Sequence, residues 1–282
     1  MRIITKISTL RQVIKELKLS SKKIGFVPTM GALHQGHGSL LQKSRREKNI
    51  TVLSIFVNPK QFGPHEDYLK YPREEKKDEI LAKKENVDII FYPSVEEMYP
   101  KGYLTYVKVK HLSDSLCGKS RPGHFKGVGT IVLKLLNIVT PDILYLGQKD
   151  AQQAILLNKM IADLNLPIQV KICPTIREKD GLAMSSRNVY LTKQQRKEAA
   201  ILFESLSQAK KNFLEGELNA HKIIQRIKNN ITKNTSAMID YIQCVDIKTL
   251  QPSKKITQDA LIALAVKFGN TRLIDNILLK VS

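Results

Sequence analysis

Pro28-Thr29-Met30-Gly31-Ala32-Leu33-His34-Gln35-Gly36-His37 follows a short apolar run, Ile24 to Val27, and leads into a segment with helical spacing from about Gly38 to Lys48. This succession predicts the first strand-to-helix turn of an α/β domain. Glycines at 31, 36 and 38 let the backbone come close to a ligand. A helix beginning near Gly36 aims its free N–H groups and positive dipole end at an anion. The stretch reads as a phosphate site with two imidazoles, His34 and His37, beside it.

Two histidines in H-x-G-H at that place resemble the signature of nucleotidyltransferases and class I aminoacyl-tRNA synthetases, and the resemblance implies charge stabilisation at the α-phosphate of ATP. Working outward, Thr51 to Val57 is an almost unbroken β-branched and apolar run, as a strand buried on both faces requires. Strand, helix and parallel strand form a right-handed βαβ unit. At the carboxyl end of the second strand stand Asn58-Pro59-Lys60-Gln61-Phe62-Gly63. Open parallel sheets bind ligands beyond the carboxyl ends of their strands, so this loop and the opening turn share a crevice. Asn58 and Gln61 offer it neutral amides suited to a small hydroxylated acid; a plain Asn-Pro turn is the alternative.

Val87 to Tyr92 reads as a third strand, and Tyr103 to Val109 alternates like a further one. Arg121 to Gly127 is a turn rich in glycine and basic groups, and it introduces an apolar helix, Val128 to Val139. A short strand, Ile143 to Leu146, runs into Gly147-Gln148-Lys149-Asp150 and then a helix from Ala151 to Asp163. Lys149 is the candidate cation over a triphosphate, and Gln153 lies in the first turn of the helix. After a last strand, Ile168 to Ile172, the loop Met184-Ser185-Ser186-Arg187 carries two hydroxyls and a guanidinium for phosphate oxygens. Such a loop can close over ATP.

From Lys193 the pattern changes to two helices, Lys193 to Glu215 and Ala220 to Asn234, followed by strands at Met238 to Val245, Ala260 to Val266 and Leu273 to Leu279. This is a small α+β domain with no catalytic constellation of its own. The organisation predicted is α/β, with a Rossmann-like parallel-sheet domain over 1–175 and a smaller C-terminal domain over 176–282 that acts as a lid.

The net charge of +20 invites a nucleic-acid reading. Residues 1–192 carry 31 basic and 18 acidic groups, and residues 193–282 carry 15 and 8, so the excess follows length and no basic tail exists. With no Trp and no basic run interleaved with aromatics, nucleic acid is not an expected partner. No run approaches the roughly 18 apolar residues of a membrane span, and Met1 to Lys6 lacks a signal-peptide core, so a cytoplasmic protein is expected. Cys117, Cys173 and Cys244 are odd in number and widely spaced, which suggests neither disulfides nor zinc.

Five segments in order resemble the pantoate–β-alanine ligase (pantothenate synthetase) family. They are residues 28–37 above, Phe-Val-Asn-Pro-Lys-Gln-Phe (56–62), Gly-His-Phe-Lys-Gly-Val (123–128), Gly-Gln-Lys-Asp-Ala-Gln-Gln (147–153) and Asp-Gly-Leu-Ala-Met-Ser-Ser-Arg-Asn (180–188). The resemblance implies a nucleotidyltransferase fold and a two-step reaction: pantoate attacks the α-phosphate of ATP, and β-alanine then displaces AMP from pantoyl adenylate. It implies His37 as proton donor, assisted by His34, Lys149, Ser185, Ser186 and Arg187. It lines ATP with Met30, Gly31, Ala32, Leu33, His34, Gln35, Gly36, His37, Gly147, Gln148, Lys149, Asp150, Ile176, Met184, Ser185, Ser186 and Arg187.

Gln61 and Gln153, with Asn58 beside them, are implied to hold pantoate, and β-alanine to meet the Gln61 region. A homodimer is implied too. Magnesium is implied to arrive with ATP, but the family's acidic pair is here Lys77-Asp78, so no protein ligand for it is assigned. His65 stands where the family more often has Asn, and Lys179 where it often has Pro. The alternatives are another H-x-G-H nucleotidyltransferase or a basic RNA-binding protein.

Overall fold

The computed structural model describes residues 1–64 and 66–281; the departure at His65 lies outside the described residues. The elements are β1 (Arg2–Ile4), α1 (Ile7–Leu19), β2 (Ile24–Thr29), α2 (Gln35–Arg46), β3 (Ile50–Ile55), α3 (Glu75–Lys84), β4 (Ile89–Phe91), α4 (Val95–Met98), α5 (Cys117–Ser120), α6 (His124–Val139), β5 (Ile143–Gly147), α7 (Ala151–Asp163) and β6 (Gln169–Cys173). Beyond them come α8 (Lys193–Glu198), α9 (Ile201–Leu214), α10 (Ala220–Asn234), β7 (Met238–Asp246), β8 (Ala260–Phe268) and β9 (Thr271–Leu279). Strands β1 to β6 form one parallel sheet in the order β1-β4-β3-β2-β5-β6. The order reverses between β2 and β5, which makes the gap beyond their carboxyl ends the place where such sheets bind ligands.

Sequence chemistry opens that gap. Pro28 has no N–H to give a ladder, and the β2–β5 pairing stops at Gly25↔Ile143 and Phe26↔Leu144, while β2–β3 pairing continues to Thr29↔Ile55. The two central strands therefore part just before the residues that follow them. Helix α6 fills one face of the sheet with Val128, Ile131, Val132, Leu135, Leu136 and Val139. Truncating a member such as Leu136, 2% exposed, to Ala would cost about 2–5 kcal/mol.

The C-terminal strands β7, β8 and β9 form an antiparallel sheet. Strand β8 is apolar on both faces because both are covered. Leu261 and Ala263 join the core of the parallel sheet, whereas Ile262, Leu264 and Val266 pack with α9 and α10.

Two expectations change and one strand is added. Tyr103 to Val109 belongs to no ladder among the described residues; its Val107 N–H donates to Thr130 Oγ1 on α6 at 2.9 Å, so the alternation reflects packing on a helix. The helix expected over Lys193 to Glu215 breaks into α8 and α9. Strand β1 joins the sheet as an additional edge; at three residues it is too short to show a period in the sequence.

Candidate active site

The turn after β2 is built by its own backbone and one distant carboxylate. Gly31 and Ala32 take left-handed conformations, φ +83° and +49°. Asp78 on α3, 2% exposed, holds the turn by accepting from Ala32 N at 3.0 Å and Leu33 N at 2.6 Å. Burial pushes this carboxyl up from the ordinary Asp range, and the two N–H groups act against that.

His34 caps α2: its Nδ1 accepts from Gly36 N at 3.1 Å, and His37 Nδ1 accepts from His34 N at 3.3 Å. A ring nitrogen that accepts carries no proton, so each imidazole keeps its proton on Nε2. Burial, and then the charge of Lys149, lowers the His34 pKa to about 4. Burial, then His34 and Lys149, holds His37 well below the ordinary histidine value. The rings lie 4.1 Å apart, centroid to centroid. Both are thus neutral at pH 7, each with one N–H free to donate. Gly36 is required here, since a Cβ would stand 2.7 Å from His34 Cε1.

On the neighbouring strand end, Asn58 is 1% exposed and its amide is fully used. Its Nδ2 donates to Gln61 Oε1 and to Gly127 O, each at 3.1 Å, while its Oδ1 accepts from Lys60 N and from Tyr99 OH. Asn58 is thereby joined directly to the side chain of Gln61. Gln61 Nε2 points at Met30 Sδ, 2.8 Å away. His124 Nδ1 donates to Gln61 O at 2.8 Å, and Arg121, paired in a fork with Glu66 at 2.6 Å, stands on its other nitrogen. Burial, then Arg121, brings His124 down to about 4.

The Gly147–Asp150 turn leaves β5 with Lys149 partly exposed, 3.8 Å from Asp150. Gln148 Nε2 donates to Asn276 Oδ1 at 3.0 Å. Gln153 faces a cleft of about 1570 Å³ together with Lys149, Asp150, Ser185 and Arg187; the C-terminal sheet forms the opposite wall. Gln35 is exposed at the start of α2, and Leu33 is half-buried.

The loop from Ile176 is a narrow hairpin: Ile176 O accepts from Met184 N at 3.0 Å. Ser185 Oγ accepts from Arg187 N, and Ser186 Oγ meets Tyr71 OH at 3.1 Å. Arg187 Nε and Nη2 donate to the two oxygens of Asp67, each at 2.9 Å. Sequence reasoning missed Asp67, Tyr71, Asp275 and Asn276 as parts of this arrangement, and it gave Asp78, Arg121 and His124 no role in it. Only Asp275-Asn276 carries a local signal, two polar residues inside an apolar strand.

The pantoate-beta-alanine ligase family profile matches residues 2–278. The chain belongs to the pantoate–β-alanine ligase family. The match selects this family among H-x-G-H proteins. The pantothenate synthetase of Caldicellulosiruptor saccharolyticus is 52% identical over 281 residues, covering 100% of both chains. The crystal structure of pantothenate synthetase from Thermus thermophilus superposes with a TM-score of 0.93 at 40% identity, covering 98% of this chain and 99% of that one. A Francisella tularensis pantoate-beta-alanine ligase complexed with β-γ ATP and β-alanine matches with a TM-score of 0.80 at 37% identity, covering 99% and 97%. As in any ligase of this family, the chemistry needs places for a triphosphate and two small acids. Among the described residues no group of three or more His, Cys, Asp or Glu is placed to hold a metal ion, and no helix is long and apolar enough to cross a membrane.

Proposed function

We propose that this enzyme joins pantoate to β-alanine with ATP through a pantoyl adenylate, in the gap between β2 and β5. In the first step a pantoate carboxylate oxygen bonds to the α-phosphorus as the α–β P–O bond breaks and pyrophosphate leaves. In the second the β-alanine ammonium first gives a proton to solvent, the freed amine nitrogen bonds to the acyl carbon as the C–O bond to AMP breaks, and the nitrogen's second proton passes to solvent or to the departing AMP. The reading is carried by the two neutral Nε2–H imidazoles beside Lys149 at the switch point of the sheet. In-line transfer at phosphorus needs positioning and charge stabilisation more than covalent help.

His37, the proton donor of this reading, donates from Nε2 as a neutral imidazole and is not an imidazolium acid at pH 7. His34 donates beside it, Lys149 meets the triphosphate, and Ser185, Ser186 and Arg187 grip its far end. Gln61 and Gln153 hold pantoate. Residues 176–282 form the lid of the site; the apolar packing of Leu261 and Ala263 on the main core supports a cover that shifts little. Magnesium enters with ATP and is held by phosphate oxygens. The homodimer rests on the family resemblance. A cytoplasmic setting fits three buried free cysteines.

The test is pyrophosphate release measured with and without pantoate. Release that requires pantoate, with AMP appearing only on addition of β-alanine, supports the reading; ATP turnover indifferent to pantoate rejects it.

A further inference from the structure

Strand β9 reads Leu273-Ile274-Asp275-Asn276-Ile277-Leu278-Leu279, and its two central polar residues are buried, 2% and 5% exposed. Burying a carboxylate and an amide inside an apolar strand is unfavourable unless both are bonded, so their partners show what they do. Neighbouring residues of a strand point to opposite faces, and these two reach different turns. Asp275 accepts from both terminal nitrogens of Arg177, at 2.6 and 3.0 Å, and Arg177 Nη1 also donates to Gly181 O at 3.1 Å. This ties down the base of the hairpin that carries Ser185 to Arg187.

Asn276 grips the other turn. Its Nδ2 donates to the backbone carbonyls of Gln148, at 3.0 Å, and Lys149, at 2.8 Å, and its Oδ1 accepts from Gln148 Nε2 at 3.0 Å. Carbonyls only accept, so the amide orientation is determined by its surroundings. Opposite Asn276 on β8 stands Ala263, a small partner. Three hydrogen bonds thus close a ring around the peptide that leads into Lys149. Lys149 carries its charge on a long flexible stem, and the direction in which that stem leaves the backbone is set by this ring.

We propose that Asn276 is a positioning residue for adenylation: it touches no substrate and acts through Lys149 by holding the Gln148–Lys149 backbone. The inference rests on the role given to Lys149 above. The C-terminal domain then supplies part of the catalytic apparatus, and a displaced phosphate-facing ammonium is what its loss produces, since small misplacements of a reacting group cost large factors in rate.

A double-mutant cycle in the full-length enzyme tests this, reading single-turnover adenylate formation from ATP and pantoate. Asn276→Ala is expected to slow adenylation on the order of tenfold while leaving KM for pantoate unchanged. In a Lys149→Ala background the same substitution is expected to change the rate by less than about twofold, because the group it serves is gone. A full tenfold loss in both backgrounds, or no loss in either, overturns the proposal while leaving Lys149 in place. An unimpaired Lys149→Ala enzyme overturns the role of Lys149 and the proposal with it. Should Asn276→Ala fail to fold, Gln148→Ala removes one bond of the ring without touching β9. A loss of roughly threefold that vanishes in the Lys149→Ala background supports the inference, and a loss that persists there rejects it.

Discussion

Two of the turns that the proposed reading sets against the triphosphate are held in opposite ways. The His34–His37 turn is mostly self-sufficient: each imidazole is fixed by a backbone N–H within three residues of it. The Ser185–Arg187 turn depends on residues far away in the chain, Tyr71 on Ser186, Asp67 on Arg187, and Asp275 through Arg177. A locally fixed group keeps its protonation state and direction as the rest of the protein moves. A group held by distant side chains is ordered only while those segments stay docked.

The largest expected effect falls on the local turn. His37→Ala is expected to slow adenylate formation by on the order of 10² or more, as removal of a transition-state donor does; an unchanged single-turnover rate removes His37 from the chemistry. Gly36→Ala pushes a methyl against the His34 ring and is expected to cost about tenfold in adenylation with no change in KM for pantoate. Parity with the parent enzyme there would show that the cap does not govern the ring.

Effects on the distant turn are smaller and appear in ATP binding. Asp67→Asn leaves Arg187 its size and charge but weakens the side-on grip, and KM for ATP is expected to rise about fivefold, the equivalent of roughly 1 kcal/mol. A fall in KM would instead make Asp67 a competitor of phosphate. Tyr71→Phe removes one hydroxyl contact to Ser186 and is expected to raise KM for ATP by less than about threefold.

The same contrast sets the pH behaviour. Because His34 is lowered to about 4 and His37 lies well below its ordinary value, adenylation is expected to show no histidine inflection between about pH 6 and 8. It falls only towards pH 4, where a proton on His34 Nδ1 displaces the Gly36 N–H. Stability has a wider window. Below about pH 6.5 the unfolded chain takes up protons at His34, His37 and His124 that the folded chain refuses, so these groups favour folding above 6.5 and lose that contribution as pH falls towards about 4. Thermal unfolding across this range checks the sign; a melting temperature that rises on acidification contradicts it.

How much is legible in the sequence follows the same division. Helix α7 appears over Ala151–Asp163 as its spacing predicts, and the His34, Lys149 and Arg187 turns all follow strands of one parallel sheet or its last connection. Local periodicity and turn chemistry carry such features. The bonds of Asn58 to Tyr99 and Gly127, 41 and 69 residues away, are beyond local turn chemistry. Tyr103 to Val109 misleads because a helix, α6, stands where alternation implies a neighbouring strand. Asp78 and Asn276 bond across 46 and 127 residues; a local pattern can mark Asn276 as unusual but cannot name its partner.

The central claim is that the cap of α2 presents two neutral Nε2–H imidazoles to the α-phosphate. Nitrogen-15 NMR of the histidine-labelled enzyme at pH 7 tests it directly. The account predicts that His34 and His37 both show a protonated Nε2 and a bare Nδ1, unchanged down to about pH 5. An imidazolium, or an Nδ1–H tautomer, at either position at pH 7 would contradict it.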